Sequence, residues 1–137
     1  MAFSDPGMGR TILDSGRGTE PQTVTLAAAC QAGDVLGYSS GWKLALATTG
    51  SVIQGRVVAL RKGAIGDEVP VSANPVVGGY SGATPGSYVY VAEGSDSGEI
   101  TQTAPTTSGD ADTIIGIALS ATEVMFFLNS RVDSTAA

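Results

Sequence analysis

From Pro6 to Gly116, no stretch longer than eleven residues is free of glycine or proline. That spacing limits the fold more than any other feature. An isolated helix needs about 12–15 residues to persist, and both residue types weaken its interior. The best helical stretch, Leu26 to Ala32, is short and follows the strand-like Thr23-Val24-Thr25. Strands need only about five or six residues, which the punctuation allows.

The runs between the breaks read as strands. "VLGY" and "WKLALA" flank "SSG", which predicts a hairpin. "SVIQGRVVALRK" is the longest candidate, with Gly55 marking a bulge or a close approach. "VPVSA" and "PVVGGY" contain Pro70 and Pro75 and are expected as edge or irregular strands. "SYVYVAE" alternates, with Val89 and Val91 on one face and Tyr88 and Tyr90 on the other. "TIIGIAL" and "TEVMFFL", separated by Ser120-Ala121, predict a closing hairpin. The chain is therefore expected to be all-β: a small single-domain barrel or sandwich of about 8–10 short strands over residues 23–128. Residues 1–22 lack periodicity and read as an extended N-terminal arm, and 129–137 as a polar C-terminal tail.

Chemistry is limited by what is missing. The chain has no histidine and one cysteine, so zinc sites and Ser-His or Cys-His catalysis lack their parts. Cys30 follows an apolar run and is expected to be buried. The acids cluster in glycine-rich turns, where Asp most often bonds its own backbone. Asp110 and Asp112 in "GDAD", with Asp96 or Glu99, form the best calcium candidate, yet the positions that follow lack oxygen ligands. These acids are expected in a solvated turn without a metal. No catalytic residue and no cofactor is expected.

The net charge is −6, and the seven basic residues are scattered, which argues against a nucleic-acid partner. The N-terminus has no apolar core of the signal-peptide kind, and no run approaches a membrane span, so no membrane role is expected.

The segments "TLAAACQAGDVLGYSSGWKLALATTG", "IQGRVVAL", "GDEVPVS", "PGSYVYVAEGSDSGEITQTAP" and "IIGIALSATEVMFFL" follow one another in a telling order. The succession resembles the head decoration, or capsid cement, proteins of tailed bacteriophages. The matching positions include Gly86, Val89, Tyr90, Val91, Gly98, Ile100, Thr101 and Pro105. They continue with Ile115, Gly116, Ala118, Leu119, Ser120, Ala121, Thr122, Val124 and Phe126, the most specific part. The resemblance spans roughly residues 23–128. It implies a structural virion protein, made in the host cytoplasm and seated on the outer capsid surface. It further implies a homotrimer at three-fold and quasi-three-fold positions that cements neighbouring major capsid protein subunits.

Within that expectation, Phe3, Met8, Arg10, Ile12, Leu13 and Arg17 of the arm are the candidate capsid contacts. Trp42, Met125 and Phe127 are candidates for the subunit interface; alternation gives "VMFFL" two apolar faces, of which one fills the domain core and the other needs cover from a second sheet of the same domain or from a neighbouring subunit. The rival reading is a receptor- or glycan-binding β domain of a phage fibre or spike. It calls for aromatic side chains in exposed loops, whereas most aromatics here fall in expected strands.

Overall fold

The computed structural model describes residues 2–16 and 22–137. Eleven short strands occur there: β1 (Thr11–Asp14), β2 (Gln22–Thr25), β3 (Val35–Tyr38), β4 (Trp42–Leu44), β5 (Val57–Ala59), β6 (Glu68–Ser72), β7 (Val76–Gly78), β8 (Tyr88–Val91), β9 (Ile100–Thr101), β10 (Gly116–Ala118) and β11 (Glu123–Phe126). A single 3-10 turn, Leu128–Ser130, follows. The strands form two antiparallel sheets, ordered β1-β7-β11-β10-β8-β9 and β2-β6-β5-β3-β4. The fold is all-β, with the two layers of a sandwich.

The main core lies between the sheets. Val35, Ala45 and Val58 from the five-stranded side meet Val77, Val89, Val91, Val124 and Phe126 from the six-stranded side. Alternation explains the sorting: along β8, Val89 and Val91 are buried while Tyr88 is exposed and Tyr90 half-buried. Gly55 marks a close approach, since a Cβ there would stand 2.7 Å from Val35 Cγ1 and 3.3 Å from Leu128 Cδ2.

A second, smaller core covers the far face of the five-stranded sheet. Leu36, Ala59, Val69 and Val71 pack there beneath Leu26 and Cys30 of the segment that precedes β3. That segment is stitched down by Leu26 N–H to Asp67 C=O (2.9 Å) and by paired bonds between Cys30 and Gly63. Cys30 is buried as expected, and burial pushes its thiol up to about 11.

Three expectations change. β6 and β7 are internal strands, not edges: β6 pairs with β2 and β5, and β7 with β1 and β11. Pro70 is tolerated because its carbonyl faces Leu60, which donates to it at 2.9 Å one residue past the end of β5. The side of Pro70 that lacks an N–H therefore points where the neighbouring ladder has already stopped. The second change is in the closing hairpin, which pairs as read, with Gly116↔Phe126, Ile117↔Met125 and Ala118↔Val124 in register, but has a tip longer than Ser120-Ala121. Its tip holds Ser120, Ala121 and Thr122, because the Leu119 N–H bonds the Glu123 carbonyl at 2.8 Å.

The third change concerns the ends. Residues 1–22 were expected to stand off the core as an arm; of these, 2–16 and 22 are described. Instead β1 adds to the six-stranded sheet, Ser4 bridges Ser81, and Phe3 stacks on Tyr80 with ring centroids 5.7 Å apart. Arg10 holds the segment down: its side chain is fully buried between Asp5 and Asp34. The tail is not loose either. Thr135 bridges Ala111, and Arg56 grips Asp133 with Nη1 2.8 Å from both carboxylate oxygens.

Candidate interaction surface

The arm residues do not form one surface. Arg10 is spent inside the domain, its guanidinium bonding Asp5, Asp34 and the Gly7 carbonyl. Phe3 and Ile12 are partly buried against the main core. Met8 and Leu13 are free, at 66% and 50% exposure. Arg17 lies outside the described residues.

The acids of "GDAD" are not a solvated turn. Asp110 is only 1% exposed. Its Oδ1 accepts both the N–H and the hydroxyl of Thr49, each at 2.7 Å. These bonds hold its carboxyl below the usual range. Glu93 is pushed up, chiefly by the nearby Asp110 carboxyl. The loop is closed from outside by the tail, through Asp112 N–H to Ser134 C=O at 3.0 Å and Ala136 N–H to Asp110 C=O at 2.8 Å. The sequence hid this, because the tail that shuts the loop reads as featureless. No group of three or more metal-ligating side chains occurs among the described residues.

The outer face of the six-stranded sheet is unusual. Register aligns Val76, Met125, Ile117 and Tyr88 across β7, β11, β10 and β8. All four point away from the core, whose members on these strands are Val77, Val124, Phe126, Ala118 and Val89. Leu13, Leu119 and Phe127 extend the row, and a groove of about 460 Å3 runs beside Val76, Met125, Leu119 and Phe127. An antiparallel sheet with one solvated face normally shows polar side chains there. The contrast within the molecule is direct: the far face of the five-stranded sheet is also apolar, and the chain's own turns cover it. On the six-stranded face the large side chains stay half-buried or exposed.

Met125 and Phe127 thus belong to this face, as the alternation in "VMFFL" implies. Trp42 does not. It sits on β4 with Leu44, against the smaller core, and meets the exposed Tyr38 edge-on at 5.5 Å. Trp42 and Met125 occupy opposite sides of the sandwich. Val76 and Ile117 were missed in the sequence, since short runs such as "PVVGG" do not say which valine faces out.

Comparison with protein-family models, with curated proteins and with solved structures finds no match. No helix among the described residues is long and apolar enough to cross a membrane.

Proposed function

We propose that the protein is a structural virion protein, a capsid cement that docks the outer face of its six-stranded sheet on neighbouring major capsid protein subunits. The observation that carries this reading is the row Val76–Met125–Ile117–Tyr88, an apolar stripe across four paired strands whose side chains stay half-buried or exposed among the described residues. The most specific part of the likeness to phage decoration proteins is the closing hairpin. That hairpin supplies Met125 and Ile117, the centre of the stripe.

The mechanism is thermodynamic. Burying each large apolar side chain contributes about 1.5–3 kcal/mol before the costs of association. A protein that binds only the mature shell stabilises that shell by mass action. Discrimination between shells requires that the docking surface exist in one lattice and not in the other. In this reading the N-terminal segment contributes Leu13, packed over Gly78 at the edge of the face, while Met8 is an exposed contact elsewhere on the segment and Arg10 acts inside the domain. A homotrimer places three such faces around a three-fold position.

The test is sedimentation of the purified chain with expanded and with unexpanded capsid shells, alongside its mass in solution. Co-sedimentation with expanded shells alone, by a trimer, supports the reading. Equal binding to both shells, or to neither, refutes it.

A further inference from the structure

We propose that the cleft beside β8 is a binding site for a neutral saccharide. The proposal goes beyond capsid docking and concerns the free protein.

The cleft has a volume of about 630 Å3, within the usual range of small-ligand sites. One wall is aromatic: Tyr88 and Tyr90 stand on the same side of β8, with Phe127 facing the same space. Residues two apart on a strand are separated by roughly 6.6 Å, so the tyrosines offer a platform of sugar-ring size. The opposite wall is polar. Asp112 comes from the loop before β10, and Arg131 and Ser134 come from the C-terminal segment.

The polar wall selects the ligand class. Asp112 lines the cleft as a half-buried carboxylate. Arg131 is fixed in place, with Nη1 donating to the Leu128 carbonyl at 2.7 Å and Nε to Asp133 at 3.2 Å. A carboxylate in the wall disfavours anions, and the arginine disfavours cations. A hydroxyl group suits both, because it donates to Asp112 and accepts from Arg131. The tyrosine faces suit the apolar C–H side of a pyranose. Aromatic side chains in loops were the expected mark of a glycan binder. Here the open face of a strand presents them instead.

The test is saturation-transfer NMR on the full chain with glucose, galactose, mannose, N-acetylglucosamine and their disaccharides, each at about 5 mM to populate weak sites. Tetramethylammonium and inorganic phosphate serve as cationic and anionic probes. The expected result is transfer to the ring protons of at least one saccharide, weakened about tenfold or more by Tyr90→Ala and by Asp112→Asn. Dispersed amide resonances check that each variant is folded, and Tyr88→Ala, at a more exposed position, replaces Tyr90→Ala if that variant unfolds. No transfer to any saccharide overturns the proposal. So does transfer that survives both the tyrosine and the aspartate substitution, or a preference for either ion. Tyr88 and Phe127 also belong to the docking face, but saccharide binding is read on the free protein and docking from particle binding, so either reading can fail alone.

Discussion

The Arg10 guanidinium bonds the Asp34 carboxylate inside the domain, 24 residues further along the chain. The same group holds Asp5, whose Oδ2 also accepts the Ile100 N–H at 2.9 Å. One arginine therefore ties the N-terminal segment to the entry of β3 and, through Asp5, to β9. Removing it leaves two buried carboxylates without their cation. Arg10→Ala is expected to cost about 3–5 kcal/mol of stability, measured by urea denaturation. A cost below about 1 kcal/mol, the size of an exposed pair, would show that the segment is only loosely attached.

Gly116 sits at the crowded centre of the closing hairpin. A Cβ there would lie 2.5 Å from the Met125 carbonyl oxygen and 3.1 Å from Val89 Cγ2. The first obstacle is backbone and cannot turn aside. Gly116→Ala is expected to destabilise by about 1–3 kcal/mol through forced separation of β10 from its neighbours. Calorimetry with an unchanged melting temperature would contradict this.

The Glu93–Asp110 pair predicts a pH effect. Glu93 is raised above its ordinary 4.5, so its contribution to stability is complete below that value and is lost as pH climbs through the folded-state value. Asp110 is lowered from 3.8, so its contribution is present above that value and is lost only as acid protonates it. Glu93→Gln keeps the neutral form at every pH. Its melting temperature is expected to fall less than the parent's between about pH 4.5 and 7. Parallel profiles for the two proteins would contradict the pairing.

Neighbours on β11 separate core from contact surface. Phe126 is 1% exposed within the main core, whereas Met125 points outward. Phe126→Ala is expected to cost about 3–5 kcal/mol. Met125→Ser, on the open face, is expected to cost less than about 1 kcal/mol. Equal losses in denaturant titrations would mean that both faces of β11 are core.

The all-β class was legible because glycine and proline leave room for nothing longer, and strict alternation in "SYVYV" sorted its faces correctly. Two things were not legible. Pro70 argued for an edge, but the position of a strand in a sheet depends on where its neighbour ends, and no local pattern records that. The buried roles of Arg10 and Asp110 depend on partners 24 and 61 residues away. An arginine just after Gly7 and Gly9, or an aspartate in "GDAD", looks solvated until those partners are in place. That Met125 and Phe127 face away from the main core was readable because five successive apolar residues must face two ways.

The outer face of the six-stranded sheet is the centre of the functional account, and Met125→Asp tests it most directly. The substitution puts a charge into the middle of the stripe, in register with Val76 and Ile117, and leaves the main core untouched. Occupancy of expanded capsid shells, measured by co-sedimentation at matched concentrations of folded protein, is expected to fall at least about tenfold, as for an unpaired charge in a buried contact. Occupancy equal to that of the parent protein would contradict the assignment of this face as the docking surface.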